Sequence, residues 1–137
     1  MRFPIGIQNF RTLREDGYLY IDKTELIYKL VDTGCYYLLS RPRRFGKSLL
    51  VSTLEAYFQG KKEQFKGLAM ERLEKDWTAR PVFHLDLNVG KYESTQSLLD
   101  TLNEALTVWE QEYGAAEAER NVGLRFKGVV QRAYEKT

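Results

Sequence analysis

With 137 residues, 43% of them hydrophobic and 13% aromatic, the chain has the length of one domain and enough apolar material for a packed core. Lys and Arg number 21 against 19 Asp and Glu, so the formal net charge of +2 excludes a global pull towards a polyanion and leaves any basic function local. The single cysteine, Cys35, excludes an intrachain disulfide and a cysteine-built zinc cluster; it suits a reducing cytoplasm, with a small buried apolar side chain as its expected role.

The opening "MRFPIGIQNFRTL" meets polar residues by Gln8, Asn9 and Arg11, too early for the apolar centre of a secretory signal. No stretch approaches the ~20 apolar residues of a membrane span, so a cytoplasmic chain without a membrane partner is expected. "YLYID" (18–22) reads as a short strand. "KTELIYKLVDTG" sets Leu26, Ile27, Leu30 and Val31 at helical spacing and stops at Gly34. "CYYLLS" (35–40) is continuously apolar and aromatic, the pattern of a strand buried on both faces of a parallel sheet.

A basic loop, "SRPRRFGKS" (40–48), leads into "KSLLVSTLEAYFQG", whose Leu49, Leu50, Leu54, Tyr57 and Phe58 share a broad helical face ending at Gly60. "KKEQFKGLAMERLEKDW" predicts one or two short helices broken near Gly67, and in "PVFHLDLN", opened by Pro81, Val82 to Asn88 predicts a second buried strand. In "STQSLLDTLNEALTVWEQEYG", Ser94 caps a helix striped with Leu98, Leu99, Leu102, Leu106, Trp109 and Tyr113. A last amphipathic helix is built on Leu124, Phe126, Val129, Val130 and Tyr134. No repeat, low-complexity tract or linker divides the chain.

Strand, glycine-containing basic loop and helix in that order are the setting of the phosphate-binding pattern G-x-x-x-x-G-K-[ST]. Gly46, Lys47 and Ser48 match it, while Arg41 stands where the first glycine would. Backbone N–H groups around Phe45, Gly46 and Leu49 would cradle phosphate, Lys47 would reach its oxygens, and the Ser48 hydroxyl would ligate Mg²⁺. Arg43 and Arg44 are auxiliary cations whose guanidinium forks fit phosphate oxygens. The alternative is a strand-to-helix turn with solvated arginines, or a nucleic-acid or protein contact patch of "RPRR" with Phe45.

"SRPRRFGKSLL", with "YLYIDKTELIYKL" before it and "LEAYFQGKKEQFKGL" and "WTARPVFHLDLN" after, resembles the bacterial AAA-ATPase-like proteins, along nearly the whole chain and including "FPIGIQNFRTLRE". An arginine at the position of Arg41 is usual among them. The resemblance implies an α/β fold, a P-loop NTPase sheet of the additional-strand type flanked by helices, with ATP and Mg²⁺ as cofactors. Many members carry a restriction-endonuclease-like nuclease domain towards the C-terminus, and neither that domain nor its motif is found in residues 1–137. The family pattern also implies a Walker B strand soon after a helix such as "GLRFKGVVQRAYEKT", and the sequence stops at Thr137 just before it. The expectation is therefore the N-terminal portion of one P-loop domain, binding nucleotide and relying on a missing C-terminal segment or a further subunit for hydrolysis. Unpaired sheet edges would then favour a homo-oligomer or a poorly soluble product. A fragment without activity is the remaining alternative. Asp86 is the one acid that invites a Walker B assignment; His84 interrupting the apolar run and Leu87 following it favour a structural role. His84 is the sole histidine and excludes a histidine metal cluster.

Overall fold

The computed structural model describes residues 1–42, 46–89 and 91–137. These form two compact units, Met1–Val82 and Phe83–Thr137.

In the first unit, Asn9 caps α1 (Phe10–Glu15) by accepting from the Thr12 N–H at 3.1 Å, a start signal of the ordinary Asx kind that the hydrophobic pattern alone does not bring out. The helix has fewer than two turns, so it is held by contacts outside itself. Phe10 is fully buried, its ring 4.8 Å from Phe65 and edge-on to Tyr20 at 5.2 Å, and its N–H donates to Ser52 Oγ at 3.0 Å. Arg14 donates to the carbonyls of Gln64 at 2.8 Å and Lys66 at 2.5 Å.

The helix expected after Asp22 forms as α2 (Thr24–Thr33) and runs out at Gly34. Asp22 anchors two helices at once. Its Oδ1 accepts from the N–H and hydroxyl of Thr24 (2.9 and 2.6 Å), and its Oδ2 from the N–H of Ala69 (2.7 Å), the first residue of α4 (Ala69–Leu73). The buried Thr24 hydroxyl in turn accepts from the Met70 N–H at 3.0 Å. Burial would raise the Asp22 carboxyl, but the hydrogen bonds from Thr24 and Ala69 outweigh it and hold the group below the usual aspartate range.

α3 (Lys47–Phe58) lies across this core, with Ala56 and Thr53 buried and Leu49, Leu50, Leu54 and Tyr57 packed around them. Gly60 follows at φ +70°, where a β-carbon would sit 3.1 Å from both the Ala79 nitrogen and the Trp77 carbonyl oxygen. Only glycine supplies both the left-handed backbone and the room. The two short helices expected next are a 3-10 turn (Lys62–Phe65) and α4, broken at Gly67 as the sequence predicts. Trp77 closes the core against Phe65 and Tyr57, and the Tyr57 hydroxyl donates to Glu74. Burial first, then that hydrogen bond, push the Tyr57 hydroxyl above the ordinary tyrosine range.

The second unit is an α5 (Thr95–Tyr113) and α6 (Val122–Lys136) hairpin. Ser94 and Ser97 form a reciprocal capping box, and Asn121 caps α6 through the Leu124 N–H at 2.9 Å. Leu106, Val129 and Ala133 make the seam; of the other residues expected to bury, Tyr134 faces solvent, while Leu124, Phe126 and Val130 are only partly covered. Phe83 packs on Trp109 at 5.0 Å and Tyr113 at 5.8 Å. Arg125 spans the hairpin: Nε and Nη2 each meet the Glu110 carboxylate at 2.9 Å, and Nη1 reaches Asn103 at 2.6 Å. Arg132 makes the same kind of fork with Glu119 at 2.8 and 3.2 Å.

The expected α/β P-loop sheet is not formed among the described residues. Among the described residues the regular elements are helical, and the one β contact is an isolated parallel bridge between Arg2 and Tyr18, with Leu19 donating to Arg2 at 2.8 Å. "YLYID" supplies that bridge and sends Tyr20 onto Phe10. "VFHLDLN" turns into a 3-10 segment (Leu87–Val89), where Asp86 accepts from the Asn88 N–H at 2.8 Å. "CYYLLS" forms no regular element and lies on the surface. Its side chains alternate, with Tyr36 97% and Leu38 95% exposed against Tyr37 53% and Leu39 44%, and Cys35 is exposed instead of buried. The physical reason is that a helix satisfies its backbone within the segment, whereas a strand requires N–H and C=O partners from elsewhere in the chain. Apolar content signals a preference for burial without providing that partner.

Candidate functional site

The phosphate-loop expectation falls on residues 40–49. Arg43, Arg44 and Phe45 lie outside the described residues. The rest of the site is contiguous at the start of α3. Gly46 has φ 77° and ψ 18°, a left-handed conformation that turns the chain directly into the helix and that a side chain would strain. Because Gly46 carries no capping side chain, the start of α3 is open. Helical hydrogen bonding begins with Leu50 N–H to the Gly46 carbonyl at 3.0 Å, so the N–H groups of Lys47, Ser48 and Leu49 have no partner within the helix.

Lys47 and Ser48 are exposed on that first turn, and Leu49 tucks against the core. The Lys47 ammonium donates to the Arg41 carbonyl at 2.8 Å. Three backbone donors, a cationic side chain and the positive end of a 12-residue helix dipole all belong to the first turn of α3. The arrangement can receive an anion with several oxygens. The Ser48 hydroxyl makes no hydrogen bond among the described residues and is open to a cation carried by such an anion. No three His, Cys, Asp or Glu side chains among the described residues converge on a metal position, so Mg²⁺ here would depend on the anion's own oxygens together with Ser48. Asp86 holds its own turn, in line with the structural role expected of it, and His84 is exposed.

A feature that the motif reading does not reach is a polar cleft of about 380 Å³ between α1, α3 and the 3-10 turn. Arg11, Glu15, Glu55, Gln59, Glu63 and Gln64 are among the residues lining it. Arg11 is paired with Glu15 at 2.8 Å. Gln64 is more than nine-tenths buried, and its Oε1 accepts no hydrogen bond. The Asn9 cap was the available sequence signal for α1, one wall of this cleft, but nothing local in the sequence announces that α1 meets α3 and residues 62–65.

Among the described residues no helix is long and apolar enough to cross a membrane. The chain matches the family described as "Predicted AAA-ATPase" over residues 4–137. A curated relative, "Uncharacterized protein in vnfD 5'region" of Azotobacter chroococcum mcd 1, is 40% identical over 135 residues. That similarity takes in 97% of this chain and 26% of the other protein, so the chain spans about a quarter of the length of the curated relative it matches. No solved structure matches.

Proposed function

Since the chain belongs to the Predicted AAA-ATPase family, we propose that it binds the phosphates of a nucleotide, ATP with Mg²⁺, at the start of α3. The observation that carries this reading is the open, glycine-led first turn of α3 that bears Lys47, whose ammonium donates to the Arg41 carbonyl. An arriving phosphate takes hydrogen bonds from the N–H groups of Lys47, Ser48 and Leu49. Lys47 then exchanges a neutral carbonyl acceptor for a charged one, which strengthens its hydrogen bond. Arg43 and Arg44 would add positive charge, Phe45 and Gly46 would contribute backbone N–H groups, and the Ser48 hydroxyl would hold Mg²⁺, which would neutralise phosphate charge. The helical setting does not weaken the reading, because the anion is recognised by the helix end and its glycine turn, both of which form without a sheet beside them.

The proposal concerns binding. Turnover additionally requires an acid on Mg²⁺ and a group that orients water, roles that Asp86 does not fill while it caps its own turn. The test is a calorimetric titration of Mg-ATP into the chain and into Lys47→Ala. Loss of one charge-assisted hydrogen bond of about 1.5–3 kcal/mol predicts binding weaker by roughly 10- to 150-fold in the variant. Equal binding by both proteins, or binding by the parent that fades steeply with salt and shows no saturation, would sink the reading in favour of a general polyanion contact.

A further inference from the structure

The run from Cys35 to Ser40 leaves more apolar material in water than any other short stretch of the described chain. Tyr36 is 97%, Tyr37 53%, Leu38 95% and Leu39 44% exposed, four large side chains in succession. None of the backbone N–H or C=O groups of residues 35–40 pairs with another backbone group among the described residues. The Tyr37 hydroxyl donates to the Leu30 carbonyl of α2, which ties the run to its own unit through one side chain and leaves Tyr36 and Leu38 open. On the scale of ~150–250 Å² for an aromatic side chain, the four offer about 500 Å² of surface. An apolar patch of that size marks an interaction site. A like surface seated on it buries about 1,000 Å² in all, the size at which specific interfaces begin.

The chemistry of the run indicates what that surface is. Gly34 to Ser40 carry no charge and no proline, and an uncharged run of this composition with unpaired backbone groups takes another extended segment as its partner. The flanking charges are opposite in sign. Asp32 is exposed on the last turn of α2 before the run, and Arg41 is exposed after it, with Arg43 and Arg44 following in sequence. Two copies of the run laid antiparallel bring the acidic end of one to the basic end of the other, twice over. Laid parallel, they set arginine against arginine. In the antiparallel register centred on Tyr37, Tyr36 of each copy stands opposite Leu38 of the other, so the two most exposed side chains of the run cover each other on one face. The run is thus complementary to itself, as a two-fold contact requires.

We infer that residues 35–40 are a homodimer contact, in which a second copy of this chain lays its own residues 35–40 antiparallel to them with Tyr37 at the two-fold axis. The inference stands apart from the phosphate reading, since it uses neither Lys47 nor Ser48.

Sedimentation velocity of the full chain tests it. The weight-average mass is expected to rise towards twice the monomer mass between about 1 and 200 μM and to level there, because an interface at the small end of the range corresponds to micromolar affinity. Leu38→Lys, at a side chain the fold leaves open, is expected to weaken dimerisation at least about tenfold with an unchanged circular dichroism spectrum. Tyr36→Lys, on the same open face, is the second variant and is expected to do the same. The single cysteine reports the register. Cys35 of one copy stands opposite Leu39 of the other, which leaves the two Cys35 residues about 14 Å apart along the strands and beyond disulfide reach. Mild oxidation is therefore expected to leave the parent uncrosslinked and to trap Leu39→Cys as a covalent dimer. A folded parent that stays monomeric up to 200 μM assigns the run to a different occupant and overturns the proposal. A mass that climbs past the dimer without levelling overturns it, as does a dimer that folded Leu38→Lys and Tyr36→Lys leave intact. Crosslinking of the parent through Cys35, or none in Leu39→Cys, overturns the antiparallel pairing.

Discussion

Replacing Asp22 by alanine tests whether the first unit depends on a single surface carboxylate to begin two of its helices. Asp22 accepts three hydrogen bonds, from the Thr24 N–H, the Thr24 hydroxyl and the Ala69 N–H. The two backbone donors are helix-start N–H groups, and losing a cap costs about 1 kcal/mol for each helix. The Thr24 hydroxyl also loses the partner that orients it towards the Met70 N–H, a buried contact that adds roughly 0.5–1 kcal/mol when weakened. The sum is about 2–3 kcal/mol, taken from capping energies, because a largely exposed carboxylate is screened and its pKa shift overstates its contribution. Urea unfolding followed by far-ultraviolet circular dichroism should show the midpoint falling with an unchanged slope. Asp22→Asn keeps one acceptor oxygen and should lose about half as much. A change below about 0.5 kcal/mol for Asp22→Ala would refute the double anchor. The pH dependence follows from the lowered carboxyl: the contribution is complete above the unfolded aspartate range near pH 4 and is lost as pH falls through the depressed folded value.

Arg125→Ala in the second unit leaves a mostly enclosed Glu110 without its bidentate partner and should cost roughly 2–3 kcal/mol, with the loss measured by urea unfolding of the full chain. The hydrogen bonds from Arg125 and Arg132 hold the Glu110 and Glu119 carboxyls below the glutamate range, so the hairpin should keep this stabilisation above pH 5 and lose it on acidification, seen as a falling melting temperature. Ser94→Ala removes half of the capping box on α5 and should cost about 1 kcal/mol, with fraying detectable by amide exchange at residues 95–98. Gly60→Ala combines a left-handed backbone with two 3.1 Å backbone contacts and should destabilise by at least about 2 kcal/mol.

The helices were legible because their information is local. The leucine stripe and Ser94 define α5, Gly34 ends α2, Gly67 separates the 3-10 turn from α4, and Gly46-Lys47-Ser48 marks the start of α3. The outline of the proposed phosphate site came with that last motif, since a helix end, a glycine and a lysine adjacent in sequence are adjacent in space. Periodicity could not say which apolar runs would pair as strands. "CYYLLS" and "VFHLDLN" have strand composition, but pairing depends on distant backbone, and here Tyr36 and Leu38 stay in solvent while Phe83 packs on Trp109. Tertiary structure alone decided that Asp22 would start α4 as well as α2, that Arg125 would reach across 15 residues to Glu110, and that Gln64 would line a cleft with α1 and α3. Each of these contacts joins residues far apart along the chain. Their positions are set by how helix faces bury together, which no window of sequence contains.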